Sequence, residues 1–208
     1  APKRLPRQPQ TRHHGALRDA EHRGDDGRSQ LLELEEDEHG ALIRERANPR
    51  QSFSRFIKHF VWDELDILYF AGYALWNYLS FPFLLLGTGV DVREPLDGVA
   101  RRPRALWARF DASVPTHSAE QRFVLDRNLR LTRHDYTADV IGSWAKAANL
   151  CTASEVVDGL RFYTRRVVYP QRGLDRHWPF PTLVRIELDN VRVHTGDAAA
   201  SRRVGDAA

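Results

Sequence analysis

Two short constellations hold the side chains that could do chemistry. Thr116-His117-Ser118 follows Pro115, and Arg133-His134-Asp135-Tyr136 ends a run of alternating polarity. An imidazole near a carboxylate and a phenol suits a general base, and two histidines brought together suit a metal site. If the strands carrying them pair as a meander, His117 and His134 approach each other. The same residue types at strand ends also satisfy buried backbone groups. Neither a glycine-flanked serine nucleophile nor a tight His-x-His pair accompanies them. The expectation is therefore no catalytic residue and no metal, with His117, His134, Asp135 and Tyr136 as the weak candidates.

A third constellation is Arg161, Arg165 and Arg166 with Tyr163 and Tyr169. In a strand, Arg161, Tyr163, Arg165, Val167 and Tyr169 share one face. Arginines beside tyrosines suit a phosphate or carboxylate, and equally a solvated face with cross-strand ion pairs. Glu187 and Asp189 are ready partners. Cys151 is the only cysteine, which excludes an internal disulfide and a cysteine-rich zinc site. It reads as a small buried hydrophobe rather than a reactive thiol. No phosphate-binding loop, dinucleotide fingerprint or zincin motif is present.

The elements that must position these residues begin with Ile67–Val90, which contains no charged residue. Asp63 is a predicted N-cap, with Glu64 and Asp66 complementing the helix dipole, and Pro82 ends the helix. Trp62, Tyr69, Tyr73 and Trp76 fall near one face. Leu68, Ala71, Leu75 and Tyr78 fall on another. A helix apolar on every side is a buried helix or a membrane span. Asn77, three tyrosines and the acidic start argue for burial.

Around it, Gln30–Arg46 reads as a hairpin turning at Asp37-Glu38-His39-Gly40. Phe53, Phe56, Ile57 and Phe60 space like one helical face, with a loop as the alternative. After Leu106 the pattern alternates. Strands are expected over Leu106–Val114, Gln121–Leu125, Leu129–Tyr136, Ala138–Ile141, Leu160–Tyr169 and Thr182–Val193, with Ser143–Leu150 a short helix or irregular strand. Short connections imply an antiparallel meander. Residues 1–28 and 195–208 hold little that could pack and read as disordered tails, leaving 29–194 as a single α+β domain. The net charge of +3 arises from many arginines balanced by acids, so no nucleic-acid partner is expected. No methionine occurs, so the chain reads as a processed or truncated product. No apolar run of signal-peptide length occurs in 1–40, which predicts a cytoplasmic protein.

The segment Trp62-Asp-Glu-Leu-Asp-Ile-Leu-Tyr-Phe-Ala-Gly-Tyr-Ala-Leu-Trp-Asn-Tyr-Leu-Ser-Phe-Pro-Phe83 resembles a group of uncharacterised bacterial proteins. Thr116-His117-Ser118 with Gln121, Arg133-His134-Asp135-Tyr136 through Gly142, and Phe162-Tyr-Thr-Arg-Arg166 carry the same likeness. It covers about residues 48–194 and implies no particular activity. Group members are longer before the helix, with more strands there, a difference that a truncated or misread gene start in this chain would explain. In element order the chain is also similar to periplasmic carriers of the LolA type. In that fold an antiparallel half-barrel curls around helices and holds acyl chains on its concave face.

The expected architecture is an antiparallel, half-barrel-like sheet packed around the aromatic helix. The expected function is non-enzymatic binding of a lipophilic or aromatic small molecule, with no cofactor. Trp62, Tyr69, Tyr73, Trp76, Tyr78 and Phe83 would line the pocket, with His117, His134 and Arg165 at its polar mouth. One alternative is an enzyme using His117 and His134 in a closed cavity. The other is a membrane-attached protein anchored by residues 67–90.

Overall fold

The computed structural model describes residues 22–23, 29–30, 32–36, 42–94 and 104–193. They gather into two compact units. One is drawn from Ala1–Val90, Phe110–Ala119 and Thr137–Ala145, the other from Asp91–Arg109, Glu120–Tyr136 and Lys146–Ala208.

The first unit opens with β1 (His22–Arg23), inside the stretch predicted as a tail, paired to β2 (Ser29–Gln30), just after it. The rest of both predicted tails lies outside the described residues. β3 (Leu32–Glu36) and β4 (Leu42–Ala47) form the predicted hairpin, with Leu32 opposite Ala47 and Leu34 opposite Glu45. The predicted turn at 37–40 lies outside the described residues. The helical face expected from Phe53 to Phe60 is instead two 3-10 turns, Pro49–Ser54 and Phe56–His59. Arg55 between them is extended at φ −83° and ψ 132°, so no continuous helix can pass through it.

Helix α1 (Glu64–Ser80) starts where the acids predict. The Asp63 carboxylate accepts from the Asp66 N–H at 2.9 Å, and the Asp63 N–H donates to Asp66 at 3.0 Å, a reciprocal capping box. Asp66 is fully buried. It also accepts from Arg46 Nη1 and Ser52 Oγ, each at 2.7 Å, and from Lys58 Nζ. Burial opposes its ionisation, but these donors outweigh it and hold the carboxyl below the ordinary carboxylate range. This cluster ties β4, the 3-10 turns and the helix start together. It also fixes Trp62, whose indole N–H donates to the Lys58 carbonyl at 2.6 Å.

The helix stops before Pro82, with Phe81 extended as the C-cap. A 3-10 turn, Phe83–Leu86, follows. The helix is not buried on every side, as its sequence predicts. Leu65, Asp66, Tyr69, Tyr73, Ala74, Asn77 and Tyr78 are buried, while Ile67, Leu75, Trp76 and Leu79 are exposed.

The second unit carries β5 (Val90–Arg93), β6 (Arg104–Phe110), β7 (Glu120–Leu125), β8 (Leu131–Thr137), β9 (Lys146–Val157), β10 (Leu160–Pro170) and β11 (Val184–Glu187). Their order in the sheet is their order in the chain, an open antiparallel meander. The class is α+β with a half-barrel-like sheet, as predicted. Asp126 makes the tight β7–β8 turn by accepting at 2.8 Å from the N–H groups of both Asn128 and Arg130. The predicted strand Ala138–Ile141 is a turn, closed by the Ile141 N–H on the Ala138 carbonyl at 2.8 Å. The ambiguous Ser143–Leu150 stretch resolves into β9, a 12-residue strand starting at Lys146. Both edge strands are four residues long and carry charges, Asp91 and Arg93 on β5, Arg185 and Glu187 on β11. Such edges resist pairing with another chain. Among the described residues no helix is long and apolar enough to cross a membrane.

Candidate functional site

Five of the nine predicted ligand-binding residues come together in the first unit. The Trp62 ring lies 5.4 Å from Phe53 and 5.1 Å from Phe70. Tyr69 and Tyr73 are 5.2 Å apart, and Tyr73 stands 5.1 Å from the His117 ring, edge to face. The Tyr78 hydroxyl meets His117 Nε2 at 3.0 Å. The helix period delivers Tyr69, Tyr73 and Asn77 to one buried side.

His117 comes from the loop after β6, and Asn77 holds that loop. Its amide donates to the Tyr73 carbonyl at 2.7 Å and to the Pro115 carbonyl at 3.0 Å. Its carbonyl accepts from the Thr116 hydroxyl at 2.7 Å. Arg50 donates to the Thr116 carbonyl at 2.7 Å from the other side, with its guanidinium carbon 6.0 Å from the centre of the Tyr73 ring. The Asp139 N–H closes the loop by donating to the His117 carbonyl at 3.1 Å. His117 is 0 % exposed, a ring locked in the nest rather than a residue at a mouth.

Tyr73 is 1 % exposed, and its hydroxyl has no hydrogen-bond partner among the described residues. Burial pushes its ionisation far above the ordinary phenol value, with Arg50 opposing, so the group is a neutral donor at any physiological pH. The rings of this nest pack against one another, with centroids 5.1–5.4 Å apart.

Trp76 and Phe83, the other two aromatic candidates, lie on the exposed side of the helical segment. Phe53, Phe70, Arg50 and Asn77 belong to the cluster and were not predicted for it. Asn77 carried a visible signal, as the lone amide in an uncharged apolar run. Arg50 carried none, because its role depends on where the loop at Thr116 folds back.

The remaining candidates fall in the second unit. His134 stacks on Phe123 at 4.3 Å, bonds to Gln121 Oε1 at 2.6 Å and lies 4.9 Å from the Tyr136 ring. Asp135 does not join it. Adjacent strand residues point to opposite faces, and Asp135 instead receives Arg122 at 3.0 Å and Arg133 at 2.6 Å. The general-base pairing of His134 with Asp135 is therefore not formed. Arg165 is exposed and pairs with Glu187 across β10–β11 at 3.5 Å, one of the predicted partners.

Arg166, rather than Arg165, is the buried arginine of that strand. It donates to the Cys151 sulfur at 3.2 Å and lies 5.6 Å from the centre of the Tyr163 ring. Burial pushes the Cys151 thiol up, with Arg166 opposing. A groove of about 360 Å³ in the second unit is lined by Asp91, Arg93, Glu94, Trp107, Arg109 and Glu120, none of them predicted. Two of its acids are engaged in ion pairs, Asp91 with Arg93 at 2.6 Å and Glu94 with Arg104 at 3.5 Å.

Among the described residues no group of His, Cys, Asp and Glu could hold a metal ion. No family model matches the chain, and no curated protein or solved structure matches it.

Proposed function

We propose that this is a non-enzymatic cytoplasmic binding protein for a lipophilic or aromatic small molecule. Its contact surface is the nest of Trp62, Tyr69, Tyr73, Tyr78 and His117. The observation that carries the reading is the Tyr73 hydroxyl, buried among rings with no partner among the described residues. A buried unsatisfied hydroxyl costs roughly 1–3 kcal/mol, a cost that a ligand acceptor removes. Trp62 and Phe70 are half-buried and form the outer edge of the nest, where a ligand would enter. The similarity in element order to half-barrel carriers agrees with this reading as an analogy of architecture.

The test is native mass spectrometry of the full chain taken from the soluble fraction of expressing cells. The expected result is a co-purifying lipophilic or aromatic mass, with occupancy falling about tenfold in Tyr73→Phe, the equivalent of one hydrogen bond. Protein that is wholly ligand-free, and takes up no hydrophobic dye that Tyr73→Phe releases, defeats the reading. The enzyme alternative draws less support. His117 and His134 are both closed from solvent, and His134 has a glutamine rather than Asp135 for its partner.

A further inference from the structure

Strand pleating builds the groove of the second unit. Asp91 and Arg93 are two apart on β5 and share a face, as do Trp107 and Arg109 on β6. The β6–β7 register sets Glu120 opposite Arg109. With Glu94, these residues line about 360 Å³, a volume in the range of small-molecule sites. Trp107 is the aromatic residue of the lining and is 39 % exposed. Around it stand three carboxylates, those of Asp91, Glu94 and Glu120, and two guanidiniums, those of Arg93 and Arg109. Arg93 donates to Asp91 through Nε at 2.9 Å and Nη2 at 2.6 Å, and Arg104 lies 3.5 Å from Glu94. Such exposed pairs add little stability, but they bring both signs of charge to one wall of the groove.

That mixture selects the ligand. An anion would meet the carboxylates, and a cation would meet the guanidiniums. A wholly apolar body would take these charges out of water without giving them a partner. A neutral ring bearing hydroxyls meets none of these costs, because a hydroxyl can donate to a carboxylate and accept from a guanidinium. The indole offers an apolar surface to the C–H face of the same ring. We propose that this groove binds a neutral saccharide, with one pyranose ring stacked on Trp107 and its hydroxyls bonded to the surrounding carboxylates and guanidiniums. The inference rests on residues of the second unit alone and stands independently of the aromatic nest.

The test is saturation-transfer NMR of the full chain with the methyl glycosides of glucose, galactose and mannose and with N-acetylglucosamine. The expected result is transfer to the ring C–H protons of at least one of these sugars. Trp107→Ala should weaken binding of that sugar at least about tenfold, as loss of a central aromatic contact does. Arg93→Ala should weaken it about threefold, a smaller loss suited to a rim charge. The Arg93 side chain is 71 % exposed, so this variant keeps the fold even if circular dichroism shows that Trp107→Ala does not. Tyr73→Phe should leave sugar binding unchanged. No transfer to any of the four sugars, or transfer that the folded variants retain in full, would overturn the inference. Loss of sugar binding in Tyr73→Phe would also overturn it, by moving the sugar to the nest. So would adenine binding more tightly than every sugar, because the groove would then belong to a flat base.

Discussion

The Tyr78 hydroxyl and the His117 Nε2 lie 3.0 Å apart in a buried setting, joining the last turn of α1 to the loop after β6. Tyr78→Phe keeps the ring and removes this bond. The expected cost is about 1 kcal/mol of unfolding free energy, as for a single buried hydrogen bond. His117→Ala also removes a ring that contacts Tyr73 and Phe70, and should cost about 3 kcal/mol. Urea midpoints of the two variants check both values, and equal midpoints would contradict the packing role of His117.

The cluster of Asp63, Asp66, Lys58 and Arg46 sets a pH window. In the fold Arg46 holds Asp63 well below its ordinary value of 3.8, and Asp66 is also lowered. Their contribution to stability is complete above that value and is lost as pH falls through the lower folded values. Lys58 is raised above 10.5, first by its bond to Asp66 and then by that to Asp63. Its contribution is complete below 10.5 and is lost as pH rises through the folded value. Asp66→Ala should therefore destabilise by about 3 kcal/mol near neutrality. The difference from the wild-type chain should shrink below about pH 4. Denaturant titrations across that range give the measurement.

Tyr73→Phe removes a buried hydroxyl that has no partner among the described residues. In ligand-free protein it should leave stability unchanged or raise it by about 1 kcal/mol, since an unmet desolvation cost disappears. Thermal melting of stripped protein checks this, and a loss of more than about 2 kcal/mol would show that the hydroxyl is bonded.

Asn149 presents the same situation in the second unit. It is 0 % exposed on β9, opposite Val168, and neither amide atom has a partner among the described residues. Asn149→Leu replaces the amide by an apolar group of similar volume and should stabilise by about 1 kcal/mol. A lower melting temperature would reveal a bonded molecule at that amide.

Gly142 sits at φ +146°, and an added Cβ would stand 2.7 Å from the Trp144 indole nitrogen. Gly142→Ala should destabilise by at least about 1 kcal/mol, from backbone strain even where the exposed Trp144 swings aside. A shifted urea midpoint with an unchanged slope is the expected signature.

Local chemistry made much of this protein legible from its residues alone. Asp63, Asp66 and Pro82 bound the helix because capping and ring closure act within a turn or two of chain. The alternation at Leu32–Glu35 predicted the β3–β4 hairpin, and the short connections after Leu106 an antiparallel meander, for the same reason. The spacing of Tyr69 and Tyr73 placed both on one face of α1, together with Trp62 and Trp76. Tertiary structure decided what local periodicity cannot carry. Which side of an all-apolar helix is covered depends on residues distant in sequence, so Tyr73 is buried while Trp76 is exposed. Arg50 reaches the loop at Thr116 across 66 positions. Asp135 serves Arg122 and Arg133 rather than the adjoining His134, because strand pleating turns neighbours to opposite faces and the sheet register supplies the partners.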